Sequence, residues 1–463
     1  MSRDNYDVIV VGTGPTGIFT VLELLKKDSN LDILMLEKGK DISKRECPMK
    51  QNPGMGCLNC DSCSVVSGWG GAGAYSDGKL SLSPKIGGHL EEYIGLDRLK
   101  KLISYTDQIY LDFGAPDRIF GGDNSKIDEI KTKAIKAQLK FIPAKLRHLG
   151  TGHTKTVLTN MKNYIESEDV EIKFQTNVTE FIVEDDKITG VKTAEGDIYK
   201  GENVITAPGR ENAYWLSSLA PELGIETSIN PVDIGVRVET SAVIAKELTE
   251  NLYESKLIYQ TPTFDDKVRT FCMSPYGEVV NENNQGLITV NGHSHADIKT
   301  ENTNFALLVS KTFTEPFHEP TTYGKNIAKL ANLLGGGVLV QRLGDLLDGH
   351  RSTPVRIDRG IIEPTLKEAT PGDLSLVFPY RHLKGIIEML EALDELAPGL
   401  YSRDTLLYGV EVKFYSNRID VNENMETNID NLYTGGDGAG ITRGLMQASV
   451  SGVVIARDIL SEE

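Results

Sequence analysis

The sequence lacks an excess of positive charge, a long apolar run and cysteines spread along its length. It has 66 acidic and 49 basic residues, which gives a formal net charge of -17 at pH 7. Proteins that bind nucleic acids need concentrated positive charge, and no basic stripe is present here. The composition therefore argues against a nucleic-acid partner.

No segment approaches the ~20 apolar residues that a membrane span requires. The chain opens MSRDNYDVIVVG, and strand-like residues follow too soon for the charged and apolar regions of a secretory signal. Of five cysteines, four lie between Cys47 and Cys63, unlike a secreted disulfide framework. These features predict a cytoplasmic protein with no membrane partner.

Length and glycine content favour a large ligand-binding protein. A chain of 463 residues exceeds the usual single-domain size, so two interleaved domains are expected. Its 45 glycines exceed the ~7% average and show no period, which indicates several close backbone approaches to a ligand.

The first 37 residues predict a complete β-α-β unit. A buried strand over residues 7–11 runs into Gly12-Thr-Gly-Pro-Thr-Gly17, a helical pattern follows, and a second strand ends at Glu37. In such a unit the glycines permit a tight turn and close approach to a pyrophosphate, and the acid 20 residues after Gly17 binds a ribose. The predicted cofactor contacts in this unit are Gly12, Thr13, Gly14, Pro15, Thr16, Gly17, Glu37 and Lys38.

The rest of the chain predicts a discontinuous organisation. Residues 90–150 are charged and helical in pattern. Residues 171–175, 178–183 and 188–193 are short alternating segments that predict a three-stranded β-meander, and another buried strand begins at Asn203. The expected domains are a dinucleotide-binding domain from residues 1–90, 150–225 and 405–463, a helical insertion or cap at 90–150, and an α+β substrate domain at 225–405. Further strands are predicted over 234–239, 257–260, 268–273, 287–291 and 406–414, and a helix from 383 to a stop at 398–399.

Several motifs together resemble a known group of flavoproteins. They are the Gly12–Gly17 turn with Glu37-Lys-Gly39, the meander that closes in Ala207-Pro-Gly209, and Gly436-Asp437 before a C-terminal helix. This combination resembles the α/β flavoproteins of glutathione-reductase fold, which have two dinucleotide-binding domains. Cys47-Pro with the cysteine run, and residues 70–79 (GGAGAYSDGK), more narrowly resemble the uncharacterised FAD-dependent dehydrogenases.

The resemblance implies further cofactor contacts. It assigns the adenine to the backbone of Val178, the cover of the dinucleotide to Ala207, Pro208 and Gly209, and a ribityl hydroxyl to Asp437. Amides of Gly440, Ile441 and Thr442 would face the pyrimidine edge of the flavin, where a helix N-terminus stabilises negative charge on the reduced cofactor. In this fold the chain at Gly71, Ala72 and Gly73 passes beside the isoalloxazine, although such a glycine cluster also serves simply as a turn.

Catalytic residues are less well defined by the sequence. His293 and His295 lie two apart, so on a strand they point to opposite faces and do not form one metal site. His293 is the candidate acid or base, and a hydrogen-bonded histidine without chemistry is the alternative. Cys272 is expected to be a buried small side chain.

Cys47, Cys57, Cys60 and Cys63 have the spacing C-x9-C-x2-C-x2-C. Four converging thiolates would hold an iron-sulfur cluster or a closed zinc site. A redox-active disulfide and inert structural thiols are the alternatives. An iron-sulfur cluster is favoured over zinc, because a flavin nearby gives one-electron transfer a use.

The sequence therefore predicts an FAD-dependent oxidoreductase, a dehydrogenase or reductase that acts on a small molecule by hydride transfer at the flavin. An RNA-modifying flavoprotein and a non-catalytic flavin-binding sensor are the alternatives. No second glycine fingerprint lies between a strand and a helix, so NADH or NADPH would bind only transiently, or a redox protein partner would exchange the electrons.

Overall fold

The computed structural model describes residues 5–28, 30–48, 60, 62–76, 78–122, 124–252, 254–284, 286–294, 299–313, 317, 319–415 and 417–461. The strands, in chain order, are β1 (Asn5–Val11), β2 (Ile33–Glu37), β3 (Lys79–Ser81), β4 (Ile119–Phe120), β5 (Lys140–Ile142), β6 (Leu146–His148), β7 (Glu171–Phe174), β8 (Val178–Glu184), β9 (Lys187–Thr193), β10 (Ile198–Thr206), β11 (Thr227–Ser228), β12 (Val232–Ser241), β13 (Lys256–Gln260), β14 (Lys267–Ser274), β15 (Glu278–Asn284), β16 (Leu287–His293), β17 (Asn302–Lys311), β18 (Leu339–Arg342), β19 (Thr370–Pro371), β20 (Leu406–Lys413), β21 (Arg418–Ile419) and β22 (Leu432–Thr434).

The α-helices, again in chain order, are α1 (Pro15–Lys27), α2 (Leu90–Ile94), α3 (Leu96–Asp112), α4 (Ser125–Lys136), α5 (Thr151–Ser167), α6 (Ala213–Glu222), α7 (Ala242–Leu252), α8 (Pro320–Gly335), α9 (Leu343–Leu347), α10 (Pro354–Asp358), α11 (Tyr380–Leu396) and α12 (Leu445–Ile459). Short 3-10 helices cover Ile42–Lys44, Gly71–Tyr75, Arg210–Asn212 and Leu374–Leu376. The predicted mixture of helices and sheets is confirmed. Within the described residues, no helix is both long and apolar enough to cross a membrane.

The chain divides into two compact units. Unit 1 comprises Met1–Ile119, Leu146–Asn230 and Ser416–Glu463, and unit 2 comprises Phe120–Lys145 and Pro231–Tyr415. These boundaries differ from the predicted ones mainly at residues 90–150, which the sequence assigned to one helical region and the structure divides between the units. The assignment of FAD to one domain and substrate to the other stays a prediction.

Unit 1 is built on a sheet with strand order β7-β2-β1-β10-β9-β8, in which β22 also pairs with β10. The pairs β7-β2, β2-β1, β1-β10 and β10-β22 are parallel. Strand β9 is antiparallel to β8 and to the amino-terminal part of β10, while β22 joins the carboxyl-terminal part of β10. The carboxyl ends of β1, β2, β10 and β22 therefore lie along one edge of the sheet.

One strand of the predicted meander was assigned wrongly. Residues 171–175 were expected to be its first strand, but β7 pairs in parallel with β2, through Leu34 with Glu171 and Glu37 with Phe174. The meander consists of β8, β9 and β10 instead. The physical reason is that α5 precedes β7, and a strand that follows a crossover helix joins the sheet in parallel.

The core of unit 1 lies where α1 and α12 pack against the sheet. Strand β1 is almost fully buried, and Ile9, Val10 and Ile18 have no exposed surface. The two helices approach closely, because Gly452 of α12 leaves room for the backbone of Thr16 in α1. This contact brings the carboxyl-terminal end of the chain beside its first helix.

Unit 2 contains a sheet with strand order β19-β18-β20-β12-β17-β14-β13-β5. Strand β12 lies between β17 and β20 and is antiparallel to both. Its alternate residues Ile234, Val236 and Val238 are buried in an apolar core that includes Ile386 and Leu390 of α11. The strands predicted in this part of the chain and the helix predicted from 383 to 398 are all observed, with bounds that differ by three residues at most.

The close packing of α1 on α12 predicts that Gly452 tolerates no side chain. A Cβ at this position would lie 2.2 Å from the Thr16 carbonyl oxygen, so Gly452→Ala should lower the free energy of unfolding by about 1–3 kcal/mol. Chemical denaturation of the variant and the wild type measures this. Gly152→Ala in α5 is the matched control, since its Cβ meets nothing within 4 Å and a helical alanine should add about 1 kcal/mol. Equal destabilisation by both changes would contradict this account of the helix contact.

Candidate dinucleotide site

The turn after β1, residues Gly12–Gly17, is called the dinucleotide loop. The Gly12 N–H donates to the Leu36 carbonyl at 2.8 Å, which joins the ends of β1 and β2. Gly12 has a φ of +103°, and a Cβ there would lie 2.5 Å from the Ala207 carbonyl oxygen. Only glycine fits at this position, because the backbone turns sharply and passes directly against the end of β10.

Helix α1 begins inside this loop with Pro15 in its first turn. Gly14 caps the helix without a side-chain hydrogen bond, and a Cβ on Gly14 would meet nothing within 4 Å. The first-turn amides of a helix carry partial positive charge and bind phosphate groups. The open space over Gly14 and the start of α1 together form a suitable cradle for an anion.

Glu37 ends β2, and its side chain is 7% exposed. One carboxylate oxygen accepts hydrogen bonds from the Thr13 N–H at 2.9 Å and the Thr13 hydroxyl at 2.8 Å. The other accepts from the N–H groups of Gly39 at 2.7 Å and Gly68 at 3.0 Å. The carboxylate thus joins three separate turns of the backbone, a role that the sequence pattern did not indicate. Its predicted contact with a ribose remains a prediction.

Two further residues that were predicted to contact the cofactor, Val178 and Lys38, are positioned near Glu37. The Glu37 carbonyl accepts from the Thr176 N–H at 2.9 Å, which holds the chain leading to Val178 beside the end of β2. Val178 begins β8 and is 5% exposed. The ammonium group of Lys38 donates to the Asn212 side-chain oxygen at 3.2 Å.

Residues Gly70–Gly73, called the glycine loop, pack against the dinucleotide loop. The Gly70 N–H donates to the Thr13 carbonyl at 2.8 Å, and a Cβ on Gly71 would lie 3.4 Å from the Gly14 Cα. A Cβ on Gly73 would lie 2.5 Å from the Leu445 side chain at the start of α12. The structure therefore brings Gly71, Ala72 and Gly73 between two parts of the candidate site.

The turn Ala207–Gly209 connects β10 with the C-terminal loop, residues Gly435–Gly444. The Ala207 N–H donates to the Val11 carbonyl at 2.8 Å, and the Gly438 N–H donates to the Pro208 carbonyl at 3.0 Å. A Cβ on Gly438 would lie 2.0 Å from the Pro208 carbonyl oxygen. The two backbones therefore touch, and a larger residue at Gly438 would separate them.

Asp437 stabilises the C-terminal loop. One of its carboxylate oxygens accepts from the Thr442 hydroxyl at 2.8 Å and from the Gly444 N–H at 3.1 Å. The Gly440 carbonyl accepts from the side-chain amide of Asn230 at 3.0 Å, and Ile441 is fully buried. These bonds fix the shape of the loop, and the predicted contacts of Asp437, Gly440, Ile441 and Thr442 with the flavin remain predictions.

The structure also reveals two buried residues that the sequence analysis missed. Arg45 is 1% exposed and Trp69 is fully buried, and the indole N–H of Trp69 donates to the Leu158 carbonyl at 2.8 Å. Both residues fix the segment that leads into the glycine loop. Their partners are backbone carbonyls, which leave no recognisable spacing in a sequence.

His293 belongs to unit 2, and the cysteine cluster is only partly described. His293 ends β16, opposite Glu278 of β15, and His295 lies outside the described residues. Cys47, Cys60 and Cys63 have free thiols, and Cys57 lies outside the described residues. In the described part of the chain, no three His, Cys, Asp or Glu side chains are arranged to hold a metal. The four-cysteine centre, which includes Cys57, stays a prediction.

The bonds of Glu37 predict a cost for a neutral replacement. Glu37→Gln would turn an amide N–H₂ toward backbone N–H groups, so at least one buried donor would lose its acceptor at a cost of about 1–3 kcal/mol. Denaturation of the cofactor-free protein measures the loss. Glu184→Gln, at the exposed end of β8, is the control and should change the free energy of unfolding by less than about 0.5 kcal/mol. A Glu37→Gln variant as stable as this control would refute the structural role.

Comparison with known proteins agrees with the predicted FAD dependence. Residues 231–414 match the family model described as "FAD-dependent protein, C-terminal domain-like". This range is nearly the same as the longer segment of unit 2, Pro231–Tyr415. A Clostridium beijerinckii protein described as uncharacterized is 27% identical over 481 aligned positions, covering 98% of this chain and 80% of that protein.

Two solved structures align with nearly the whole chain, and their descriptions name a dehydrogenase and an oxidase. A 3-ketosteroid-delta4-(5alpha)-dehydrogenase from Rhodococcus jostii has 13% identity and a TM-score of 0.45, covering 99% of this chain and 97% of its own. A formate oxidase from Aspergillus oryzae, whose description mentions FAD modification, has 12% identity and a TM-score of 0.45. The alignment covers 100% of this chain and 99% of the oxidase chain. Similarity at this level bears on neither substrate nor mechanism.

Proposed function

We propose that this chain is an FAD-dependent oxidoreductase that exchanges hydride with a small molecule. One observation carries the proposal: the dinucleotide loop, Glu37, the Ala207–Gly209 turn and the C-terminal loop meet at one edge of the unit 1 sheet. Ligands of open α/β sheets bind at the carboxyl ends of the strands. The match of residues 231–414 to an FAD-dependent family supports the same cofactor.

The described residues fit FAD in several ways. Amides at the start of α1 would hold the pyrophosphate above Gly14, where a Cβ would meet nothing within 4 Å. The Glu37 carboxylate would accept from a ribose hydroxyl if the Thr13 hydroxyl turned away, since the other three of its bonds come from the backbone. Asp437 would bind the ribityl chain, and the backbone of Gly440–Thr442 would orient the pyrimidine edge of the flavin.

Bound FAD would supply the hydride chemistry, at the flavin N5. The protein would bind and orient the cofactor and exclude water from it. The sheet order of unit 1, with parallel strands followed by the β8-β9-β10 meander, supports the narrower proposal of a glutathione-reductase-type domain. Unit 2 would bind the substrate, with His293 as the candidate acid or base, and NAD(P)H or a redox protein would exchange electrons only transiently.

Because a Cβ at Gly14 would meet nothing within 4 Å, a substitution there tests the cofactor site directly. The purified protein should be yellow and release FAD on denaturation, as its visible absorbance and chromatography of the released cofactor would show. Gly14→Val should keep the fold, since its φ is -74° and a Cβ there meets no protein atom within 4 Å, but should block the pyrophosphate. The matched control is Gly122→Val in unit 2, where a Cβ also meets nothing within 4 Å. This variant should retain FAD. A Gly14→Val protein with full flavin content would contradict the assignment.

The cysteine centre is tested by metal analysis. We expect protein purified without oxygen to contain iron and sulfide bound through Cys47, Cys57, Cys60 and Cys63, and Cys60→Ser to lose them because one of four ligands is missing. Elemental analysis for iron, sulfide and zinc provides the measurement, and Cys272→Ser, outside the cluster, is the control. Protein without any metal, with thiols that oxidise and reduce together with the flavin, would favour the disulfide instead.

A further inference from the structure

Three glutamates line a cavity in unit 2. Glu388, Glu391 and Glu395 follow one another at intervals of three and four residues along α11, so their side chains lie on one face of that helix. The cavity has a volume of about 170 Å³, well above what a single water needs. Its other lining residues come from β13, from the end of α4 and from α11 itself. A concave surface with several carboxylates attracts cations.

Glu388 is the buried member of this group. It is 5% exposed, and its atom Oε2 has no hydrogen-bond partner among the described residues. The other oxygen, Oε1, accepts from the Thr263 hydroxyl and pairs with the Lys384 ammonium group at 3.3 Å. A buried carboxylate oxygen without a donor is costly, because it has lost its hydration and gained no bond in return. Oε2 therefore marks a position for a donor that the described part of the chain does not supply.

Two further features of the lining favour a positive charge. Burial raises the pKa of the Tyr259 phenol, and the charges of the three glutamates raise it further, so this ring lies within reach of all three carboxylates. The face of an aromatic ring attracts an ammonium ion. Ala137 and Gln138, which directly follow α4, also line the cavity, and the carbonyl end of a helix carries partial negative charge.

The acceptors suit an organic ammonium ion better than a metal ion. The three carboxylates are not arranged to hold a metal, which is true of all described His, Cys, Asp and Glu side chains. Glu391 accepts from the Tyr401 hydroxyl at 3.0 Å, whereas Glu395 makes no hydrogen bond or ion pair with any described residue. Two acceptors are thus available, Glu388 Oε2 and the Glu395 carboxylate, on residues that lie ~10 Å apart along the helix axis. A ligand that satisfies both carries an ammonium group at each end of a chain.

We propose that this cavity binds a linear aliphatic diamine, with one ammonium group on Glu388 and the other on Glu395. All of its lining residues belong to unit 2, and the inference goes beyond the proposed function without depending on it. Lys136 also lines the cavity and is exposed, so its flexible ammonium group competes for the same carboxylates. The diamine displaces this group when it binds.

Calorimetric titration of the full chain with putrescine tests the site. Butylamine has the same carbon chain with one ammonium group, so it isolates the contribution of the second. A salt concentration of ~150 mM weakens general attraction to the acidic surface. We expect putrescine to bind at least about tenfold more tightly than butylamine, and Glu388→Gln to raise the Kd for putrescine at least about tenfold, because the buried acceptor loses its charge.

Glu250→Gln is the control for net charge. It removes the same charge from an exposed position on α7 of unit 2, and it should change the Kd by less than about twofold. Equal weakening by Glu250→Gln and Glu388→Gln would indicate general attraction to an acidic surface and would overturn the proposal. Equal affinity for putrescine and butylamine, or no binding of putrescine, would overturn it as well.

A second variant covers the case in which Glu388→Gln does not fold. Lys136→Gln changes an exposed side chain at the end of α4, so the fold should persist. Removal of the competing ammonium group should lower the Kd for putrescine about two- to fivefold. Lys131→Gln, exposed on the same helix and outside the lining of the cavity, should lower it less than about 1.5-fold. An unchanged Kd in Lys136→Gln, or the same decrease in both lysine variants, would show that putrescine does not occupy the cavity.

Discussion

The architecture of unit 1 depends on the buried carboxylate of Glu37. A carboxylate has about four acceptor positions, and here the Thr13 N–H and hydroxyl, the Gly39 N–H and the Gly68 N–H use them. A buried charge is stable only when such bonds replace its hydration. Glu37 therefore fixes the relative positions of the dinucleotide loop, the end of β2 and the segment that leads to the glycine loop. Arg45 binds that last segment through backbone carbonyls, so opposite charges fix one stretch of backbone.

Close contacts between backbones provide the second constraint. Gly12 lies against Ala207, Gly438 against Pro208, and Gly452 against Thr16. Each contact joins parts of the chain that are far apart in sequence, and together they draw the carboxyl-terminal end onto the first β-α-β unit. A cofactor bound at this edge would contact amides and glycines far more than side chains. At these three positions the close backbone contact requires glycine.

The parts of the fold that were predictable from the sequence are those with local signals. The first unit from Asn5 to Glu37 combines a buried run, a glycine turn and helical periodicity, and its strands and helix are observed as expected. Strand β7 was misassigned because its four residues carry no mark of their partner, and only the preceding α5 directs it to β2. Strand β17, Asn302–Lys311, was missed although it lies in the centre of the unit 2 sheet. Arg45 was missed because its bonds to backbone carbonyls depend on the folded chain alone.

Unit 2 buries charged side chains along its strand β12, and this feature limits what the sequence says about the substrate. On β12 the charged residues Asp233, Arg237 and Glu239 lie between apolar ones and are buried. The Arg237 guanidinium donates to the Asn304 side chain at 2.8 Å and to the Cys272 carbonyl at 2.6 Å. It also forms an ion pair with Glu411 at 3.4 Å.

Such buried pairs add little net stability, because desolvation offsets their attraction, but removing one partner is costly. Their geometry is specific to these side chains, whereas the dinucleotide site relies on backbone groups that many sequences supply. A cofactor that is held by glycines and amides can be recognised from spacing alone. A substrate that is recognised by unit 2 would depend on side-chain positions set by long-range pairing, and for this reason the sequence identifies the cofactor far better than the substrate.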